Sequence, residues 1–122
     1  MKRLMALPLV GAIPAVWVAV PALAATSYGT KLTIAHSTQS GGGFVGKVKS
    51  PAAGCASGRK VTVYRKGSSK DTPIGSGWSQ SSGKWWLTIT RLPAGDYYAK
   101  TPAVKRHGAT CKAGRSITTH AS

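Results

Sequence analysis

The sequence predicts an all-β protein, a single antiparallel, seven-stranded β-sandwich of Greek-key type behind a cleavable N-terminal signal peptide. Three observations predict this fold class. After residue 25 every apolar cluster is short, and turns rich in Gly, Pro and Ser separate the clusters. No window in that part shows the 3.6-residue apolar period of a helix. The chain has 122 residues, which suits one small domain.

Residues 1–24 have the pattern of an export signal. Lys2 and Arg3 give a positive start, Leu4–Val20 is uncharged and apolar, and Ala22-Leu23-Ala24 places small residues where a signal peptidase cleaves. The alternative is a membrane anchor, but the apolar stretch is interrupted by prolines and is marginal in length for a span. We therefore expect the mature protein to be secreted and extracellular, either free or associated with the envelope.

The rest of the chain divides into a short N-terminal part and one domain. Residues 25–42 are predicted to hold a first strand, at Lys31–Ile34, and a flexible Gly/Ser linker that begins at Ser37. Residues 43–119 are predicted to form the sandwich.

Six further strands are predicted from alternation of apolar and polar residues and from the turns between them. They are Phe44–Lys49, Lys60–Arg65, Pro73–Ser79, Lys84–Thr90, Asp96–Thr101 and Arg115–Thr119. The inward phase of these strands predicts a shared core of Val48, Val61, Val63, Trp85, Leu87, Ile89 and Tyr97, and the last strand is centred on Ile117.

Two cysteines follow the predicted signal, Cys55 and Cys111, and disulfides persist in exported proteins. We expect them to pair with each other, because a thin apolar core needs additional stabilisation. On the chain-entropy model the bond would stabilise the fold by about 4 kcal/mol. Two free thiols and an intermolecular bridge are the alternatives.

The order of several short motifs resembles a known family. Phe44-Val45-Gly46-Lys47-Val48 precedes Cys55, Gly83-Lys84-Trp85 opens one strand, and Pro93-Ala94-Gly95-Asp96-Tyr97-Tyr98 opens the next. Over about residues 43–119 this resembles the transthyretin-like or carboxypeptidase-regulatory-like modules of secreted bacterial proteins. The resemblance implies a prealbumin-like sandwich with a structural or adhesive role. It implies no catalytic residue, since that family shares none.

The charge is strongly one-sided, with 17 Lys and Arg against 2 acidic residues and a formal net charge of +15. Both acids are Asp, at positions 71 and 96, so a carboxylate-rich calcium or magnesium site is excluded and a paired-carboxylate hydrolase would need both. We expect each Asp to accept hydrogen bonds from turn backbone.

We expect no enzymatic activity, no metal and no cofactor. A Ser/His/Asp triad is not expected, because the sequence holds no Gly-x-Ser-x-Gly nucleophile elbow. The histidines at 36, 107 and 120 also fall in predicted loops or tails. A zinc site from His107, Cys111, Cys55 and His120 would require both thiols to be free. The glycines at 41–43 lack the Lys-Ser/Thr and helix of a phosphate loop.

The surplus of cations is the feature closest to function. The candidate anion-binding residues lie on or beside predicted strands, and two Trp could offer contacts among them: Lys47, Lys49, Lys60, Arg65, Lys66, Lys84, Trp78 and Trp86. Anionic envelope or extracellular polymers are the expected partners, since the sequence holds no specific nucleic-acid motif. A cationic effector or antimicrobial protein acting on anionic membranes is one alternative. A passive basic surface that blunts sheet edges is another.

Overall fold

The computed structural model describes residues 26–37, 42–106 and 108–122. Over these residues the protein is all-β, as predicted, with one turn of 3-10 helix at Ala53–Cys55 and no α-helix. The predicted signal peptide, most of the predicted linker and His107 lie outside the described residues. No helix in the described ranges is long and apolar enough to cross a membrane.

The described residues form twelve short strands, more than the seven predicted. They are β1 (Ser27–Tyr28), β2 (Lys31–Leu32), β3 (Ala35–Ser37), β4 (Gly43–Lys49), β5 (Lys60–Arg65), β6 (Thr72–Trp78), β7 (Lys84–Thr88), β8 (Gly95–Thr101), β9 (Val104–Arg106), β10 (Ala109–Cys111), β11 (Gly114–Arg115) and β12 (Thr119–Ala121). The five longest, β4 to β8, coincide with predicted strands to within two residues at each end.

The strands form two larger sheets and one small one. In the first sheet β4 is central, with β2 and β3 following one another along one edge and β7 along the other, all antiparallel to β4. In the second, the order is β6, β5, β8, and both β11 and β12 pair with the free edge of β8. The small sheet is β1, β10, β9, in which β1 runs parallel to β10.

The core lies between the two larger sheets, which gives a sandwich-like arrangement. One cluster of almost fully buried side chains joins the sheets. It contains Phe44, Val48 and Trp85 of the first sheet and the inner residues of β5 and β8. The ring centres of Phe44 and Tyr97 lie 5.0 Å apart. The predicted inward residues Val48, Val61, Val63, Trp85 and Tyr97 are all buried there, and Leu87 and Ile89 pack against the cluster. The predicted phase of these strands is therefore confirmed.

The prediction for the last strand is wrong. Ile117 is 77% exposed, because the chain breaks between β11 and β12 instead of continuing as one strand. The buried Ser116 causes the break, since its Oγ accepts the N–H of Ala99 and donates to the carbonyl of Ile117. The backbone N–H of Ser116 still donates to the carbonyl of Ala99, but the N–H of Ala99 bonds a side chain instead of a backbone carbonyl. The regular ladder therefore ends here, and Ile117 faces solvent.

The turn that precedes β7 depends on a glycine. Gly83 has φ of +89°, a conformation that L residues with a side chain rarely adopt. A Cβ at this position would lie 2.5 Å from the carbonyl oxygen of Val48, so space as well as conformation excludes a side chain. This turn fixes where β7 begins and hence which residues of β7 face inward.

The disulfide predicted between Cys55 and Cys111 is present, with a Cα–Cα distance of 5.3 Å. It joins the 3-10 turn after β4 to the end of β10, and both cysteines are buried. The bond therefore connects the small sheet to the loop that leads into β5.

Replacing both cysteines by Ala is expected to lower the free energy of unfolding by about 2–4 kcal/mol, mainly because the unfolded chain loses a crosslink. Denaturant titration of the double variant measures this change. Thiol titration of the denatured, unreduced wild-type protein provides the control. It should detect no reactive thiol, and two reactive thiols for each chain would contradict the intramolecular bond.

Candidate anion-binding surfaces

The outer face of the first sheet carries a compact group of lysines. On β4, Lys47 and Lys49 alternate with buried Val48 and so point outward. Lys49 lies directly opposite Lys31 of β2, and Lys47 lies directly opposite Lys84 of β7. We call these four exposed residues the lysine face.

The lysine face holds charge that the fold does not compensate. Directly opposite side chains in an antiparallel pair have Cβ atoms about 4.5–5.5 Å apart, and like charges in such pairs are destabilising. Successive outward residues of β4 are about 7 Å apart, within the screening length of about 8 Å at physiological ionic strength. The four ammonium groups therefore act as one positive region.

Neither carboxylate of the chain lies on this sheet. Asp71 lies just before β6, where its carboxylate accepts the N–H of Gly67 and the hydroxyl of Tyr98. The bond from Tyr98, followed by that from Gly67, lowers the pKa of Asp71, and the same contact raises the pKa of Tyr98. Asp96, on β8, pairs with Nδ1 of His120 at 2.8 Å. Both acids therefore have partners on the second sheet.

An apolar strip borders the lysine face. Trp86 of β7 lies directly opposite Val45 of β4, and these side chains are 54% and 42% exposed. A shallow depression of about 450 Å³ runs between this strip and the pair Lys47 and Lys84. Cationic and aromatic groups therefore adjoin on one accessible surface, and Trp86 is the predicted aromatic candidate that lies there.

The other predicted candidates lie elsewhere. Lys60 and Trp78 are directly opposite each other on β5 and β6, on the second sheet. Arg65 is in the inward phase of β5, and its Nη2 donates to the carbonyl of Ala94 at 2.8 Å, so it fixes the turn before β8. Lys66 follows β5, and its backbone N–H donates to the carbonyl of Asp96.

The six predicted cations thus divide between the two sheets. Three of them, Lys47, Lys49 and Lys84, meet on one face, while Lys31 joins that face although it was not among the candidates. Lys31 could have been included from its place at the start of a predicted strand. Its position opposite Lys49, however, depends on strand pairing that one sequence does not specify.

The residues considered for catalysis or metal binding are placed differently from the prediction. His36 lies in β3 and His120 in β12, so these two are not loop residues, and the ring of His36 packs 5.7 Å from that of Phe44. The cysteines of the zinc alternative are joined to each other. No group of three or more His, Cys, Asp or Glu residues that could hold a metal occurs within 26–37, 42–106 and 108–122.

One cation has a structural role that the sequence did not indicate. Arg59 is fully buried, and its guanidinium donates to Thr30 Oγ1 and to the carbonyls of Cys55, Pro102 and Lys112 at 2.7 to 3.2 Å. Burial, and then the nearby Arg106, lower its pKa. The acceptors come from four segments, three of them distant in the chain, so Arg59 holds together the end of the domain that contains the disulfide.

No family model matches the chain, and a search of curated proteins finds no match either. The resemblance to transthyretin-like modules therefore remains a prediction from short motifs.

Proposed function

We propose that the protein is a secreted, non-enzymatic cationic module that binds anionic envelope or extracellular polymers through the lysine face. The single observation that carries the proposal is the pair of directly opposed lysines, Lys31 with Lys49 and Lys47 with Lys84. The two pairs lie next to each other along β4, and the repulsion between their like charges opposes folding. A bound polyanion would relieve this repulsion. Both Asp side chains are already engaged by residues of the other sheet.

Export and family membership form part of the same proposal. Residues 1–24 would direct export and be removed, and the disulfide is compatible with an oxidising extracellular compartment. A seven-stranded Greek-key, transthyretin-like core over residues 43–119 is supported by the two facing sheets. It is also supported by Tyr97, whose hydroxyl donates to the carbonyl of Pro93 four residues upstream, as in a tyrosine corner.

Polymer binding should depend strongly on salt and little on polymer sequence, because Lys contributes a compact point charge. If the four lysines each contact a phosphate of duplex DNA, used as a reference polyanion, the slope of log K against log salt is about −3.6. Replacing Lys47, Lys49 and Lys84 together by Gln should reduce the slope to about −0.9. Affinity chromatography or fluorescence titration at several salt concentrations measures both values, first on DNA and then on a purified wall polymer.

The matched control replaces Lys70, Lys105 and Lys112 by Gln. These lysines are also exposed, and the control changes the net charge by the same amount, but none belongs to the lysine face. The control should retain most of the wild-type slope. Equal losses in the two triple variants would show that net charge alone attracts the polymer.

A second candidate function, damage to anionic membranes, is favoured by the exposed Trp86 and Val45 beside the lysines. Trp and Lys together are typical of surfaces that bind at the membrane interface. Release of dye from anionic vesicles, with no salt-dependent retention on wall polymers, would favour this candidate over polymer binding.

A further inference from the structure

The outer face of the second sheet has a cleft of about 590 Å³, on the side of the sandwich away from the lysine face. Among the residues that line it are Lys60 and Tyr64 of β5, Lys100 of β8, Arg115 of β11, and Pro102, which follows β8. We call it the arginine cleft. Three of its side chains are cationic, and the register places Lys100 directly opposite Arg115.

Two stacked rings position the cations of the arginine cleft. The guanidinium carbon of Arg115 lies 4.0 Å from the centre of the Tyr98 ring. Tyr98 in turn stacks on Tyr64, with 5.5 Å between ring centres and 14° between their planes, and Nζ of Lys100 lies 5.4 Å from the centre of the Tyr64 ring. Because Tyr98 is buried and hydrogen-bonded to Asp71, the ring beneath Arg115 is fixed in place.

The donors of this cleft are not engaged by protein acceptors. Among the described residues, the side chains of Arg115, Lys100 and Lys60 neither donate a hydrogen bond nor form an ion pair. The nearby Asp71 already accepts hydrogen bonds from Tyr98 and Gly67, and Arg115 acts on it only through its charge, which helps to lower the pKa of Asp71. A guanidinium that is oriented by stacking and has no acceptor is suited to bidentate recognition of an oxyanion.

We propose that the arginine cleft binds a phosphate ester. Arg115 would donate two N–H groups to two phosphate oxygens, while Lys100 and Lys60 would neutralise the rest of the charge. Three cations that line one cleft favour a doubly charged phosphate over a singly charged carboxylate. The cleft exceeds a phosphate group in size, and Pro102 and Tyr64 offer apolar surface to the attached organic group. The site does not rest on the proposed function of the lysine face.

The test titrates the protein with glycerol 3-phosphate, inorganic phosphate and glycerate at constant ionic strength, using calorimetry. We expect the ester to bind more tightly than inorganic phosphate, and glycerate to bind most weakly. Arg115→Lys keeps the charge and removes the planar fork, so it should raise the Kd for the ester about tenfold or more. Arg91→Lys, in an exposed turn outside the cleft, is the matched control and should leave the Kd within about twofold of the wild type.

Amide chemical shifts of the wild-type protein give a readout that does not depend on any variant folding. Glycerol 3-phosphate should shift the resonances of Tyr64, Lys100 and Arg115, and the triple variant at Lys47, Lys49 and Lys84 should bind the ester as the wild type does. Vesicles that contain phosphatidic acid form a second arm. If the protein binds these vesicles in an Arg115-dependent way but does not bind soluble glycerol 3-phosphate, the phosphate that the cleft recognises belongs to a lipid. An Arg115→Lys variant that binds all phosphates as well as the wild type would overturn the proposal, as would absence of binding to every phosphate probe.

Discussion

Replacing Trp85 by Ala is expected to lower the free energy of unfolding by about 3–5 kcal/mol, enough to unfold a marginal domain. The Trp85 side chain is only 1% exposed and belongs to the cluster between the two sheets. Gly46 lies opposite it, and a Cβ there would come within 2.8 Å of its indole nitrogen, so the backbone of β4 leaves space for this ring. Chemical denaturation followed by far-UV circular dichroism measures the change.

Trp86→Ala is the matched control. Trp86 is the next residue on the same strand, and its replacement removes the same side-chain volume. Its side chain is 54% exposed, so Trp86→Ala should lower the free energy of unfolding by only about 1 kcal/mol, well below the effect of Trp85→Ala. The reverse order of the two effects would mean that β7 is turned over, with Trp86 in the core.

Replacing Arg59 by Met is expected to lower the free energy of unfolding by about 3–5 kcal/mol. Met fills a similar length but donates no hydrogen bond. The substitution therefore removes all the donors that now serve the carbonyls of Cys55, Pro102 and Lys112. Each buried acceptor left without a donor costs about 1–3 kcal/mol, and the apolar packing of Met offsets part of the loss.

The control for this prediction is Lys60→Met, at the next residue, which is the first of β5. It makes the same change in charge at an exposed position, so we expect a change in the free energy of unfolding within about 0.5 kcal/mol. Equal effects of Arg59→Met and Lys60→Met would contradict a structural role for the guanidinium of Arg59.

The parts of the fold that could be predicted are those determined by local pattern. The alternation of Lys60–Arg65 gave the bounds of β5 and the burial of Val61 and Val63, because a strand with one buried face requires a period of two. Ile117 shows where this reasoning stops. It is the apolar centre of the predicted strand Arg115–Thr119, yet the bonds of Ser116 to Ala99 and Ile117 interrupt that strand. No pattern of apolar residues reports such a contact.

The candidate site was predictable in its chemistry but not in its arrangement. The sequence predicts that Lys47, Lys49 and Lys84 lie on strands and point outward. Their proximity comes from the register of β4 with β7, which was not known. Arg59 was missed for the opposite reason. A single Arg beside a strand is usually exposed, and its acceptors come from segments up to 53 residues away in the chain.

Lysine footprinting with bound wall polymer is the most direct test of the claim that one face of the sandwich recognises anionic polymers. The protein is acylated with and without polymer, and mass spectrometry reports the modification at each lysine. The account predicts strong protection of Lys31, Lys47, Lys49 and Lys84, with Lys70, Lys105 and Lys112 modified as in the free protein. Uniform protection of all lysines, or protection that spares the lysine face, would contradict it.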